Sequence, residues 1–267
     1  MSEYLIQEDT MKFIADATRQ KAGITDEMTP ERIIDELYLL ETDTDTGAPA
    51  TGVTFYDYDG TVLYSYTVRE ARALTALPNG PSHDGLPFAG WTHTLDEVNS
   101  TMKCLDVGAM YTPTTTKLTL NVTTAKTITV YFSQTVSRGV SIHWNDFSNH
   151  TVEGTGARSL SYYYDVGQHT IEFEVTNGYL YLGLQDTEGI LHKPTFAGDY
   201  GDNLLLTDVV IGANTLFANN FFPFLACENL KTVILRKGLT SIPKQTFSHC
   251  TNLKFCVIPN TVKSIYS

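Results

Sequence analysis

The residues best suited to covalent chemistry are Asp57-Tyr58-Asp59-Gly60-Thr61. Two carboxylates one residue apart, followed by Gly-Thr, are the spacing with which one aspartate attacks a phosphoryl group and the next acts as acid and base beside magnesium. Lys193-Pro194 and Gly198-Asp199 would supply further charged partners. Such chemistry needs the motif at the end of a buried parallel strand that feeds a helical crossover. Here Val53 and Phe55 alternate before the motif, and Val62, Tyr64 and Tyr66 alternate after it. Asp59-Gly60 between two alternating runs signals a two-residue hairpin of type I′, which needs positive φ. Lys193 and Asp199 stand too close to end separate strands of a doubly wound sheet. The motif therefore reads as a turn, and the chain as a non-enzyme.

The pattern matches the D-x-D-G-T motif of haloacid-dehalogenase-type phosphatases in letters but not in context. Other chemistry is sparser. The seven histidines show no HxH or HExxH spacing, and no G-x-S-x-G elbow or phosphate-binding G-x-x-x-x-G-K-[ST] loop occurs. Asp43 and Asp45 lack the glycine and terminal glutamate of a calcium loop. No cofactor and no metal is expected. For binding, Tyr162-Tyr163-Tyr164 stands out. Strand alternation puts Tyr163 on one face and its neighbours on the other, and the outer set could stack on sugar rings or a protein. Tyr162 and Tyr164 are the candidates there, with Phe221 and Phe222 beside them.

The elements that must position these residues follow from composition and period. Of 267 residues, 42 % are hydrophobic and 18 % charged, which supports folded domains rather than disorder. The 15 tyrosines and 13 phenylalanines lean towards strands. A net charge of −12 with no basic stripe argues against nucleic acid. MSEYLIQEDT has neither a basic nor an apolar signal region, and no run approaches the roughly 18 apolar residues of a membrane span. The expectation is a product made in the cytoplasm without membrane insertion. Cys104, Cys227, Cys250 and Cys256 form no CxxC pair and read as small apolar residues.

Residues 1–40 read as two short helices, the second opened by Thr29-Pro30-Glu31. They suit an adapter that packs on a partner, on a copy of itself or on the rest of the chain. Residues 41–51 are an acidic, Thr-rich linker. Over 52–105, a hairpin is followed by two capping boxes, Thr67-Val68-Arg69-Glu70 and Thr94-Leu95-Asp96-Glu97, around a strand at Phe88-Ala89-Gly90-Trp91. That order fits a small β-grasp-like module. Over 106–186, alternating runs such as Leu118, Leu120, Val122 and Ile171, Phe173, Val175 recur at sandwich rhythm. Over 187–267, Leu216, Phe224, Cys227 and Leu230 recur 23 positions later as Leu239, Phe247, Cys250 and Leu253. A fixed period of this length marks a leucine-rich solenoid, here incomplete. The fold class expected is mainly β and multi-domain, α+β in its small modules.

Several resemblances attach to these segments. VTFYDYDGTV, followed by Gly85-Leu86-Pro87-Phe88-Ala89-Gly90-Trp91, resembles the β-grasp repeat of internalin-type surface proteins. Trp144-Asn145-Asp146-Phe147-Ser148 and the run Gly167 to Val175 resemble a degraded polycystic-kidney-disease-type (PKD-like) sandwich. KTVILRKGLTSIPKQTF and LKFCVIPNTVKSI resemble the BspA-like leucine-rich repeats of bacterial surface antigens. Ile14-Ala15-Asp16-Ala17 and Lys21-Ala22-Gly23-Ile24-Thr25 resemble the opening of tail-associated proteins from phages of gut Firmicutes. Together they imply a phage or prophage tail or baseplate appendage. Its N-terminus would dock on protein partners in the virion, and its distal modules would contact a host surface, with a surface glycan among the candidates. The alternative they imply is a bacterial cell-surface adhesin.

Overall fold

The computed structural model describes residues 52–101, 104–144, 149–185, 192–193, 195, 202–217 and 223–266. The helices expected over 1–40 and the linker over 41–51 lie outside the described residues. The described residues fall into two compact units, one of 52–55, 62–78 and 93–107, the other of 56–61, 79–92 and 108–266.

Strands β1 (Gly52–Tyr56), β2 (Val62–Thr67), β3 (Phe88–Trp91) and β4 (Leu105–Tyr111) form a four-stranded sheet in the order β2-β1-β4-β3. In the first unit, helices α1 (Val68–Arg72) and α2 (Leu95–Asn99) begin at the two capping boxes read from the sequence. In each, the threonine side chain accepts the N3 amide while the N3 glutamate accepts the cap amide. Two otherwise orphaned donors are thereby satisfied at a helix end too short to stand alone. Val53, Phe55, Val68, Ala71, Val98 and Val107 close the core, and Phe55 meets Tyr64 and Tyr66 edge-on.

The second unit is a two-layer β structure. Its strands are β5 (Thr116–Val122), β6 (Lys126–Gln134), β7 (Val140–His143), β8 (Asn149–Thr151), β9 (Gly156–Tyr164), β10 (Gly167–Val175) and β11 (Leu180–Leu182). A short antiparallel pair follows, β12 (Leu184–Gln185) and β13 (His192–Lys193). The repeats add β14 (Leu206–Val210), β15 (Thr215–Phe217), β16 (Thr232–Ile234), β17 (Ser241–Ile242) and β18 (Ser264–Ile265). The layers have the orders β16-β14-β5-β10-β7-β8 and β15-β11-β6-β9. Period-2 alternation drives Leu118, Leu120, Ile128, Val130, Phe132, Ile171 and Phe173 into the space between them.

The repeats continue both layers of the sandwich. β14 pairs antiparallel with β5, and β16 adds to β14 in parallel. β15 pairs in parallel with β11 in the opposite layer. The first repeat coil thus straddles the sandwich, and one apolar core runs from Leu118 and Phe132 through Leu206, Phe224 and Leu230 to Cys250. A solenoid coil buries its apolar side only against a neighbour. Here the neighbour of the first coil is the sandwich edge.

Candidate functional site

The hairpin at Asp57-Tyr58-Asp59-Gly60-Thr61 is longer than the expected two-residue turn. The Asp57 amide donates to the Thr61 carbonyl at 2.9 Å and the Gly60 amide to the Asp57 carbonyl at 3.2 Å. Gly60 takes φ +88°, and Asp59 is not among the residues of positive φ. This is a turn centred on Tyr58 and Asp59 followed by one left-handed residue, so a three-residue loop replaces type I′. The cause is the Asp57 side chain, which is drawn inward and fixes the first corner of the turn.

Asp57 is 5 % exposed and its carboxylate is surrounded by donors. Oδ1 accepts from the Tyr58 amide at 2.7 Å and from the Tyr111 hydroxyl, and His83 Nε2 lies 2.7 Å from Oδ2. The rings of Tyr58, His83 and Tyr111 pack around it at 5.3–5.9 Å between centroids. Burial, then the hydrogen bond to Asp57, pushes the Tyr111 phenol far above its ordinary range, so Tyr111 stays a donor. Burial, then Asp59 and Asp57, pushes Tyr58 in the same direction. Burial alone would raise the Asp59 carboxyl, but hydrogen bonds from Thr61 outweigh it and hold Asp59 below its ordinary value. Three donors thus occupy most of the lone-pair positions of the Asp57 carboxylate and hold the side chain turned inward. The cluster behaves as a corner post for the loop.

That post bears on the repeats. The Lys237 amide donates to the Tyr111 carbonyl at 2.8 Å. Lys237 Nζ reaches the Ala89 carbonyl at 2.9 Å, and Asn260 Nδ2 the Thr92 carbonyl at 3.1 Å. Phe255 packs against Tyr56 at 5.4 Å. A Cβ on Gly108 would stand 2.6 Å from Val257, so glycine there allows the close approach.

The expected binding pair, Tyr162 and Tyr164, turns to the core side of β9. Tyr164 is 2 % exposed, and Tyr162 lies flat on Trp144 with ring planes 7° apart at 5.3 Å. Tyr164 is enclosed and Tyr162 is half-buried with one face on Trp144, whereas Tyr163 is the outward ring, 59 % exposed. Phe221 and Phe222 lie outside the described residues. The faces of the triple tyrosine are decided by its partner strand. β6 alternates Ile128, Val130, Phe132 with Thr127, Thr129, Tyr131, Ser133, and pairing it with β9 settles which side is apolar. Among the described residues no group of three or more metal-ligating side chains converges, and no helix is long and apolar enough to cross a membrane.

Comparison with known proteins bears on the repeats. Residues 205–267 match the family described as BspA type leucine-rich repeat region (6 copies). The region carries repeats of this type, on a mainly β, multi-domain chain. No curated protein and no solved structure matches the chain.

Proposed function

We propose that this chain is a non-enzymatic binding protein whose distal modules contact a cell surface, and that it serves as a phage or prophage tail appendage docked through its N-terminus. The observation that supports it most is the BspA-type repeat region built directly onto the sandwich, a continuous framework suited to presenting a surface. The stretch Ile14 to Thr25, with its resemblance to tail-associated proteins, favours the virion. The repeats themselves favour the second reading, a bacterial cell-surface adhesin, since repeats of this type resemble those of bacterial surface antigens.

Fluorescently labelled chain should co-sediment with intact cells of at least one strain in a bacterial panel. No retention on any strain would count against surface contact. Antibody to the chain should decorate phage particles released from producing cells. Decoration of the intact producer surface, with bare particles, would select the adhesin.

A further inference from the structure

The sandwich has two solvent faces, and they differ in chemistry. On the six-stranded layer, outward positions carry ordinary surface charge. Lys117 lies 3.7 Å from Glu172, and His143 lies 3.6 Å from Glu174. On the four-stranded layer, register sets the outward rows as Thr127 beside Tyr163, Thr129 beside Ser161, and Tyr131 beside Ser159. The next row crosses all four strands as Ala157, Ser133, Tyr181 and Leu216. None of these ten residues is charged, in a chain of net charge −12. All ten retain solvent exposure, Tyr163 at 59 %.

We infer that this face is a docking platform for a neutral polysaccharide chain; the inference rests on the surface-contact reading above and names its ligand class. Three observations choose that occupant. The first is the alignment of the tyrosines. Tyr181 stands two residues along and one strand over from Tyr131, and Tyr163 four residues along and one strand over in the opposite sense. With strands about 4.8 Å apart and a rise of about 3.4 Å per residue, the rings fall on one diagonal, at steps of about 8 and 14 Å. An extended sugar chain can lie along that line, with its apolar ring faces on tyrosine. The second is the surrounding set of Ser159, Ser161, Thr127, Thr129 and Ser133, short hydroxyls that both donate and accept as sugar hydroxyls do. Thr129 and Ser161 already meet at 2.7 Å. The third is charge. Among the ten residues of these rows none is a cation that would hold a carboxylate, sulfate or phosphate, and the acidic chain repels such groups. A protein partner would call for an apolar centre with arginine anchors, whereas Leu216 is the one large aliphatic side chain here.

The test uses the whole chain in native gels cast with mannan, dextran, soluble starch or hydroxyethyl cellulose, with alginate as the anionic control. At least one neutral gel should retard the protein and alginate should not. Tyr163→Ala, at an exposed position, should weaken that retardation about threefold, and Tyr131→Ala/Tyr163→Ala/Tyr181→Ala at least about tenfold, as lost ring stacking predicts. Ser161→Glu, which sets a charge mid-strip and removes no packing, should act like the triple variant. An unchanged thermal melt confirms that each variant folds. Unaltered mobility in every neutral gel, equal retardation by alginate, or variants retarded like the parent would overturn the platform. Cell co-sedimentation that survives Ser161→Glu would also overturn it, while leaving the surface-contact reading standing.

Discussion

The hydroxyl of Thr116 donates to the hydroxyl of Thr215 at 2.6 Å, and both residues are fully buried. Thr116 Oγ1 also accepts the Gly212 amide at 2.8 Å. The first strand of the sandwich is thereby tied to the first repeat coil by a closed polar link inside an apolar core. Thr215→Val keeps the shape but strands the Thr116 donor. It should destabilise the protein by about 1–3 kcal/mol, the cost of an unsatisfied buried group. Urea titration of parent and variant checks it, with the slope unchanged and the midpoint lowered.

Gly212 is the companion prediction. A Cβ there would stand 2.2 Å from the Thr115 carbonyl carbon and 2.7 Å from the Thr116 amide. Backbone cannot yield as a flexible side chain can, so Gly212→Ala should cost more than Thr215→Val, on the order of 3 kcal/mol or more. Thermal melts of the two variants side by side give the order.

The sandwich edge covers the first coil, which leads to a prediction about the repeats alone. Residues 206–267 without β5 and β11 expose Leu206, Val209 and Phe217, each at most 5 % exposed in the whole chain. Such a fragment should lack a cooperative melt, because a terminal coil without a cap leaves its apolar side bare. A sharp transition by circular dichroism would refute the capping role.

Local signals were legible in the sequence, and long-range ones were not. Thr67 with Glu70 and Thr94 with Glu97 announce helix starts because the whole interaction lies within four residues. The 23-residue period announces the coils because each slot repeats its own apolar type. The pairing of β14 with β5 joins Val209 to Leu118 across a long stretch of chain, and nothing in either strand's own pattern names the other. Tyr162, Tyr163 and Tyr164 show the same limit. Alternation separates their faces, but with tyrosine on both faces only the partner strand tells inside from outside. The turn at Asp59-Gly60 departs from type I′ because its geometry is set by His83 and Tyr111, which are remote in sequence.

The capping boxes set a dependence on pH in the first unit. Hydrogen bonds from Thr67 hold the Glu70 carboxyl below its ordinary 4.5, and those from Thr94 do the same for Glu97. A carboxyl lowered in the folded state contributes stability that is present above its unfolded value and is lost as pH falls through the folded one. Amide exchange in α1 and α2 should therefore quicken, relative to the sandwich strands, as pH drops below 4.5. Glu70→Gln and Glu97→Gln should flatten that dependence.

The Asp57 corner post predicts structure without turnover. Magnesium-dependent phosphatase activity, assayed with p-nitrophenyl phosphate, should be absent from the parent chain. Asp57→Ala should instead destabilise, because it leaves the Tyr111 hydroxyl and Tyr58 amide without their acceptor. A loss of about 2–4 kcal/mol is expected for hydrogen bonds to a buried charge. Activity that vanishes with Asp57→Asn would reverse this reading.

The cysteines offer the last prediction. Cys227 and Cys250 occupy one slot of adjacent coils as free thiols, 1 % and 8 % exposed, and Cys250 Sγ donates to the Phe224 carbonyl at 3.2 Å. The hydrogen bond with Cys250, then burial, pushes the Cys227 thiol far above the ordinary thiol range, and burial pushes Cys256 up to about 12. Thiolate is the reacting form, so buried and protonated thiols react slowly. Cys104 is exposed. In the folded chain, Ellman's reagent should therefore titrate Cys104 rapidly, the half-buried Cys256 slowly, and Cys227 only as the protein opens. Unreduced protein in denaturant should show all four thiols. Two thiols would mean that a bridge has formed, and peptide mapping would then show whether Cys227 and Cys250 form it. Cys250→Ser should lower stability by about 1–3 kcal/mol, since the smaller, more polar hydroxyl enters a slot lined by the apolar core.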